Sequence, residues 1–399
     1  MRSRPKHCRS LGNAALGLAA VAVAWSAALA EPLTKDYAAD AIALDKIVVE
    51  NYAYPEYWPG GTLPDSPELA RERASVTDRD SLLHYAEDRI ASLADHHAIT
   101  GSSFKDSWAI VPTFADLWVE RRGDQYVIEA VKPGSPASAV DIRSGDRLIA
   151  VGGRPIAQAV ADFWAALGLG VTRERADYAA RVLAAGRRKQ QRDITVARGS
   201  ESRRLQLPSL YDVETNNPPV SVSREGRAIA IRINNSLGDQ ETIAAFDAAM
   251  ARVPANGLVV IDLSDTPSGG NSSIARAMMS WFVEHPTSYQ LHQLPAEERE
   301  TGIARQWIEQ VVPRTGKHHS TLPVVRVGRW TGSMGEGIAI GFAAMGARVE
   351  GTRMAQLKGA VYDFPLPTSG LVVKLPAERL YTVKGQPRED FVPARAHSR

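Results

Sequence analysis

Hydrophobic and polar positions follow a helical period over the first part of the chain. Residues 37–50 and 68–93 repeat apolar side chains every three to four positions, and a Pro/Gly-rich break over residues 55–67 separates the two runs. A polar turn, Asp95-His96-His97, follows the second run. The pattern predicts a helical region that occupies residues 31–103 and ends in a short loop carrying two histidines.

The pattern changes to short strand-like runs between residues 104 and 209. Each run contains apolar side chains and is bounded by turn-forming residues such as Gly, Pro and Asp. Strands are predicted at residues 116–120, 125–130, 147–151, 194–197 and 204–207, and a helical insertion at residues 176–185. This part of the chain is therefore predicted to be a small β-domain.

Strand-like and helix-like segments alternate from residue 220 onward, which is typical of a layered α/β core. Strands are predicted at residues 228–233, 257–263 and 323–327, and helices at residues 241–253, 273–283 and 338–345. The pairs Gly269-Gly270 and Gly332-Ser333 each follow a predicted strand. Because ligands of open α/β sheets bind at the carboxyl ends of strands, we expect both turns to border one site, in a domain over residues 210–399.

Ser333 lies where a predicted strand turns into a helix, within the sequence Thr331-Gly332-Ser333-Met334-Gly335. Glycines on both sides permit backbone angles that a Cβ forbids, so the serine Oγ can be exposed beside helix N–H groups. That arrangement suits a nucleophile with an oxyanion site, to which the N–H of Met334 is a candidate donor. The alternative is an ordinary turn in which Ser333 is the helix N-cap.

The first 30 residues have the three parts of a secretory signal peptide: a basic start, an apolar run over residues 11–29 and small residues at Ala28-Leu29-Ala30. A transmembrane anchor is the alternative interpretation. The full chain has 47 basic and 45 acidic residues, and removal of the leader takes four basic residues away, which turns the net charge negative. We therefore expect a periplasmic or secreted protein with no stable membrane anchor after cleavage and no nucleic-acid partner.

The only cysteine, Cys8, lies within the leader, so the mature chain is expected to have no disulfide and no thiolate metal ligand. The sequence also contains no HExxH motif and no EF-hand loop. We therefore expect neither a metal nor a cofactor.

Segments of the predicted β-domain resemble a PDZ domain. They are Pro133-Gly134-Ser135-Pro136-Ala137, Ser144-Gly145-Asp146-Arg147-Leu148-Ile149 and Gly152-Gly153-Arg154-Pro155-Ile156. In that family they form the turn before a short helix, a Gly-Asp turn and the following hairpin. The resemblance implies that residues 104–209 bind an extended peptide at a sheet edge. The alternative is a β-domain that only packs.

Further segments, in the same order along the chain, resemble the tail-specific (C-terminal processing) serine protease family. Residues 261–263, the sequence Pro267-Ser268-Gly269-Gly270-Asn271 and residues 330–336 match the family, and residues 93–97 and 385–393 match its tricorn-core-like branch. The resemblance implies an α/β fold class, with a Clp protease/crotonase-like catalytic core, the PDZ-like β-domain and the N-terminal helical region. It also implies hydrolysis of peptide bonds.

The resemblance extends to individual site residues. Ser333 matches the nucleophile of the family, three residues before Glu336. Gly269 and Gly270 match its glycine pair, which implies that they contribute an oxyanion N–H besides that of Met334.

The family uses two kinds of base, and the chain offers both. The tricorn-like branch uses a histidine in an Asp-x-His turn, which matches His97, helped by an acidic residue near the C-terminus, for which Glu389 is the nearest match. The processing-protease branch uses a lysine 25 residues after the serine, which matches Lys358, but Tyr362 stands where that branch has glutamine. Imidazole titrates near neutral pH, whereas a lysine must be buried to lower its pKa from about 10. We therefore prefer His97 to Lys358 as the base.

Two functions remain for the structure to address. The first is an exported serine peptidase that forms an acyl-enzyme on Ser333 and takes a polypeptide substrate, bound as an extended segment or by its C-terminus. The second is a catalytically inactive peptide- or lipophile-binding protein that keeps the protease fold.

Overall fold

The computed structural model describes residues 36–212, 217–267 and 269–395. The predicted signal peptide at residues 1–30 lies outside these ranges. Within them, no helix is both long enough and apolar enough to cross a membrane.

The N-terminal part of the described chain is helical. It consists of α1 (Tyr37–Asn51), α2 (Pro67–Ala74), α3 (Arg79–Ala91) and the short strand β1 (Ile99–Thr100). Asp36 caps α1 by accepting a hydrogen bond from Ala39 N–H at 2.8 Å, and Asp78 and Ser81 form a reciprocal capping box at α3. The helical pattern over residues 68–93 is therefore divided into two helices, because the Asp78 side chain satisfies the first N–H groups of a new one.

A six-stranded antiparallel sheet occupies the described residues 117–207, where a β-domain was predicted. The strands are β2 (Leu117–Arg122), β3 (Gln125–Val131), β4 (Arg147–Val151), β5 (Arg154–Pro155), β6 (Arg192–Arg198) and β7 (Glu201–Leu207), and the helices are α4 (Pro136–Ala139), α5 (Ile156–Ala166) and α6 (Arg173–Ala185). The strand order is β2-β3-β4-β6-β7, with β5 paired to β4. Helix α5 was not predicted, although Ile156, Ala159, Val160 and Trp164 recur at helical spacing and are buried.

A buried ion pair braces this sheet. Arg192 Nη1 and Nη2 lie 2.6 and 2.9 Å from Asp116 Oδ1 and Oδ2, and both side chains are buried. Asp116 also accepts from the N–H of Ala137, in α4, at 3.1 Å. The pair ties β6 to the segment that precedes β2, because a bidentate charge pair has a fixed geometry.

From residue 217 onward the described chain forms a layered α/β core. Its strands are β8 (Val220–Glu225), β9 (Ala228–Ile233), β10 (Leu258–Asp262), β11 (Asp265–Thr266), β12 (Thr287–Gln293), β13 (Gln306–Val311), β14 (Val324–Val327), β15 (Trp330–Thr331), β16 (Arg348–Gly351), β17 (Ala360–Pro365), β18 (Val372–Tyr381) and β19 (Ala394–Arg395). Its helices are α7 (Glu241–Met250), α8 (Ser272–Met279), α9 (Pro295–Thr301) and α10 (Met334–Ala344). Short 3-10 turns occur at Pro55–Tyr57, Pro59–Gly61, Pro112–Phe114, Leu210–Asp212, Ser280–Phe282 and Arg388–Asp390.

The larger core sheet has the strand order β19-β16-β14-β10-β9-β8 and is parallel except for the β8–β9 pair. At the carboxyl ends of β10 and β14 the chain continues into β11 and β15, which pair in parallel through Asp265 with Trp330 and Thr266 with Thr331. This pairing brings the Gly269-Gly270 segment beside the Gly332-Ser333 turn, as the sequence predicted.

A second core sheet has the order β1-β18-β12-β13, with β17 also paired to β18. It was not predicted from the sequence. Ile99 pairs with Lys374 and Thr100 with Val373. Because β1 begins two residues after His97, this pairing anchors the histidine turn to the α/β core.

Candidate active site

Ser333 lies in a strained turn between β15 and α10. Its φ and ψ are 50° and −112°, a region that residues with a Cβ rarely adopt, at a cost of about 1–3 kcal/mol. Backbone hydrogen bonds hold the turn, since Gly332 N–H donates to Thr266 O at 3.0 Å and Gly335 N–H donates to Gly332 O at 2.9 Å. Ser333 occupies the N-cap position of α10, as the alternative interpretation required, but its Oγ also lies within hydrogen-bond distance of a histidine.

That histidine is His97. Its Nε2 lies 3.1 Å from Ser333 Oγ, and its Nδ1 lies 2.7 Å from the carbonyl oxygen of Lys358. Because a carbonyl oxygen only accepts hydrogen bonds, Nδ1 carries the proton of the neutral ring and Nε2 presents its lone pair to the hydroxyl. The ring therefore has the tautomer that a general base requires.

Asp95 and Tyr52 hold the turn that carries His97. Asp95 Oδ1 accepts from the backbone N–H of His97 at 2.9 Å, and Tyr52 OH donates to Asp95 Oδ2 at 2.7 Å. All three residues are buried. Asp95 thus fixes the backbone of the histidine, while the Lys358 carbonyl fixes its ring.

The environment of His97 keeps its imidazole neutral. Burial lowers its pKa to about 4, and the nearby positive charge of Arg388 acts in the same direction. The hydrogen bond to the Lys358 carbonyl and the negative charge of Asp95 oppose this change. At pH 7 the ring is therefore unprotonated and able to accept a proton.

A buried carboxylate, Glu336, joins the serine turn to the loop over residues 354–358. Its Oε2 accepts from the N–H of Ser333 at 2.9 Å and from the N–H of Leu357 at 3.2 Å. Its Oε1 accepts from the N–H of Gln356 at 2.8 Å. One side chain therefore sets the spacing between the serine turn and the neighbouring loop.

The same loop ends at Lys358, whose carbonyl orients His97. Burial raises the pKa of Glu336 to about 7, although the positive charge of Arg388 and the hydrogen bonds from backbone N–H groups oppose the shift. Glu336 is therefore positioned to change its charge near neutral pH, directly behind the serine.

Of the two predicted oxyanion glycines, Gly269 lies against the serine and Gly270 against Leu237. A Cβ added to Gly269 would be 2.6 Å from Ser333 Oγ, and one added to Gly270 would be 2.1 Å from the carbonyl oxygen of Leu237. These contacts leave room for glycine alone at both positions. Met334, the first residue of α10, directly follows the serine. A glycine backbone and a helix N-terminus thus adjoin one hydroxyl, which is the arrangement an oxyanion site uses.

Solved structures of proteases share this architecture at low sequence identity. A photosystem II D1 C-terminal processing protease aligns with a TM-score of 0.54 at 16% identity, covering 90% of this chain and 93% of that chain. Mature CPAF aligns with a TM-score of 0.56 at 14% identity, covering 90% of this chain and 92% of that chain. This chain has the fold of the C-terminal processing proteases. The predicted fold class is therefore confirmed.

The predicted resemblance to a PDZ domain is also confirmed. A family model described as "PDZ domain" matches residues 127–167, which extend from β3 to the end of α5. A comparison with curated protein sequences gives no match.

The two candidate bases have different surroundings in this C-terminal processing protease fold. The structure brings His97 to the serine, whereas the Nζ of Lys358 lies 3.9 Å from the centre of the Tyr57 ring and 5.8 Å from that of Tyr54. An ammonium ion over aromatic rings is held there by cation–π attraction. Lys358 therefore contributes its main-chain carbonyl to the site, while its side chain packs on the tyrosines.

The role expected for Glu389 stays a prediction. The resemblance implied that this carboxylate helps the imidazole, but the Nδ1 of His97 bonds to the Lys358 carbonyl. The Oε2 of Glu389 has no hydrogen-bond partner among the described residues, and burial raises the pKa of this carboxyl. The loop backbone occupies the Nδ1 side of the ring, so Glu389 can help the imidazole only through its charge.

Sequence reasoning missed the roles of three groups around the site. The Ser-x-x-Glu spacing of a capping box was available in Ser333 and Glu336 and could have identified the buried carboxylate. Asp95 lies two residues before the candidate histidine, in its Asp-x-His motif. The Lys358 carbonyl had no sequence signal, because every residue has a carbonyl.

Proposed function

We propose that the protein is an exported serine peptidase that hydrolyses peptide bonds through an acyl-enzyme on Ser333. The observation that carries the proposal is the 3.1 Å contact between His97 Nε2 and the Oγ of a serine in a strained turn. A serine hydroxyl is a weak nucleophile unless a base adjoins it. The protease fold supports the same reaction class.

In the proposed reaction, His97 Nε2 accepts the Ser333 proton while Oγ attacks the carbonyl carbon of a peptide bond. The N–H groups of Met334 and of Gly269 or Gly270 donate to the oxygen that becomes negative, and each such donor is worth about 3 kcal/mol. His97 then protonates the leaving amine. Water hydrolyses the acyl-enzyme with His97 again as the base. The Lys358 carbonyl accepts from Nδ1–H throughout the cycle.

The substrate in this proposal is a polypeptide, presented as an extended segment or by its C-terminus. The PDZ domain supports peptide binding, because such modules add an extended peptide to a sheet edge. The basic and apolar leader at residues 1–30 supports export and a periplasmic or secreted location.

One observation favours the second candidate, an inactive peptide- or lipophile-binding protein. A cavity of about 760 Å³ lies between α3 and the helices α5 and α6, and its lining includes Phe104, Trp108, Phe163 and Tyr178. An aromatic-lined cavity of this size suits an apolar ligand.

A fluorophosphonate probe tests the peptidase proposal. We expect stoichiometric labelling of the chain that begins at residue 31, complete loss in Ser333→Ala, and unchanged labelling in the surface control Ser320→Ala. A folded wild-type protein that binds a lipophilic fluorophore and remains unlabelled would contradict the peptidase and support the binding protein.

A further inference from the structure

The PDZ sheet has two terminal strands, β2 and β7, and an added peptide strand can pair only with such an outer edge. β2 pairs with β3 on its inner side. Val119 and Arg121 lie two positions apart on β2, so their backbone groups point to the same side of the strand. On a free edge strand, such groups are open to pairing with another chain.

Two charged side chains of α6 form hydrogen bonds with these backbone groups. Asp177 Oδ1 accepts from Arg121 N–H at 2.6 Å, and Arg181 Nε donates to Val119 O at 3.0 Å. Asp177 and Arg181 are separated by one helical turn and therefore lie on the same face of α6. Together they supply one acceptor and one donor, which is what a pairing strand would supply at these two residues.

The position of Arg181 is fixed by a second contact. Its guanidinium lies 4.6 Å from the centre of the Trp118 ring, and the guanidinium of Arg329 lies 4.6 Å from the centre of the same ring. Trp118 is itself buried against Ala355 and Leu357, in the loop beside the serine turn. Arg181 is thus held by packing as well as by its hydrogen bond, unlike a freely moving surface arginine.

We propose that α6 blocks the β2 edge from within the same chain. The PDZ module then pairs with an extended polypeptide only when Asp177 releases the N–H of Arg121 and Arg181 releases the carbonyl oxygen of Val119. Strand addition uses the main-chain donors and acceptors of the edge, and these two are already satisfied. A peptide that pairs with β2 must therefore displace both α6 contacts. The proposal concerns peptide binding and does not depend on hydrolysis at Ser333.

The test measures peptide binding by fluorescence anisotropy, in the chain that begins at residue 31 and carries Ser333→Ala to prevent cleavage. The probe is a fluorescein-labelled extended peptide of alternating Val and Thr with a free C-terminal carboxylate. The opened variant is Asp177→Ala. Asp177→Asn is the matched control, because its Oδ1 still accepts from Arg121 N–H. Glu174→Ala, exposed on the same helix, controls for a general effect of charge removal.

We expect the Asp177→Ala variant to bind the peptide at least about tenfold more tightly than its parent, because opening raises the fraction of binding-competent molecules. Both control variants should match the parent. Hydrogen–deuterium exchange should then show that the peptide protects residues 117–122 in the opened variant. Equal affinity in parent and opened variant, or protection at β7 in place of β2, would overturn the proposal.

Arg181→Met provides a second opened variant if Asp177→Ala fails to fold. It removes the donor to Val119 O and keeps an unbranched apolar side chain against Trp118. The same gain in affinity is expected, and its absence in a folded Arg181→Met protein would also overturn the proposal. Fluorophosphonate labelling of the chain with Ser333 intact is a separate readout, so failure of the peptidase proposal leaves the binding result interpretable.

Discussion

Glu336 accepts a hydrogen bond from the backbone N–H of Ser333, at 2.9 Å, from a fully buried position. The same carboxylate accepts from the N–H groups of Gln356 and Leu357, two residues and one residue before the carbonyl that orients His97. Removing one partner of buried hydrogen bonds leaves groups unpaired away from water, which is costly. The contact between Ser333 and His97 therefore depends on a positioning residue, Glu336, behind the serine.

Glu336→Gln is expected to slow acylation of Ser333. The variant keeps one acceptor oxygen but turns an NH₂ group towards a backbone N–H, so the serine turn and the loop over residues 354–358 lose their common anchor. We expect kcat to fall by about 10- to 100-fold with little change in KM, because the loss concerns the geometry of reaction. Glu300→Gln, on an exposed face of α9, should behave like wild type. Unchanged labelling kinetics in Glu336→Gln would contradict this role.

The choice of base is tested by His97→Ala and Lys358→Met. The first removes Nε2 at 3.1 Å from Ser333 Oγ and should reduce the rate of fluorophosphonate labelling by about 10²- to 10⁴-fold. The second keeps the main-chain carbonyl that orients the ring, so labelling should remain close to wild type. The reverse pattern, activity without His97 and none without the Lys358 ammonium, would identify the lysine as the base.

The pH dependence of labelling should show two steps. Protonation of His97, whose pKa is lowered to about 4 by burial, removes the base at the acid end. Ionisation of Glu336, whose pKa is raised to about 7 by burial, strengthens the hydrogen bonds that hold the serine turn, so the rate should rise through that pH. In Glu336→Gln only the acid step should remain. A Glu336→Gln profile that falls at a pH close to the pKa of free imidazole would contradict the low pKa of His97.

Gly269→Ala should block the nucleophile. Its Cβ would lie 2.6 Å from Ser333 Oγ, closer than two such atoms can approach, so the hydroxyl must leave its position beside His97. We expect loss of labelling in a protein that still folds. Gly238→Ala, where an added Cβ meets no atom within 4 Å, is the matched control and should label normally. Full fluorophosphonate labelling of Gly269→Ala would contradict the expected role of Gly269 in the oxyanion site.

The buried ion pair between Asp116 and Arg192 predicts a large effect on stability. Asp116→Ala leaves the guanidinium buried without its partner, which typically lowers the free energy of unfolding by about 3–5 kcal/mol. The exposed pair between Asp363 and Lys374 provides the control, and Asp363→Ala should cost less than about 1 kcal/mol. Urea unfolding monitored by circular dichroism measures both. Similar midpoints for the two variants would show that the buried pair contributes little.

The sequence by itself determined the local features of this protein. Helical and strand periodicities, together with the glycine turns around Gly269 and Ser333, predicted the layered α/β core and the edge at which the site lies, because these signals extend over a few neighbouring residues. They did not separate α2 from α3, did not predict α5, and did not predict the second core sheet. The last of these depends on pairing between β1 and β18, which are far apart in the chain.

Only the tertiary structure decided which of the two candidate bases, His97 or Lys358, lies within hydrogen-bond distance of Ser333. His97 and Ser333 are 236 positions apart, and their contact depends on how β1 pairs, where the loop over residues 354–358 runs and which carbonyl faces Nδ1. The occupied edge of β2 is a similar case, since Asp177 and Arg121 are 56 positions apart. Hydrogen bonds between distant segments depend on positions to within a few tenths of an ångström, and residue spacing along a chain carries no such information.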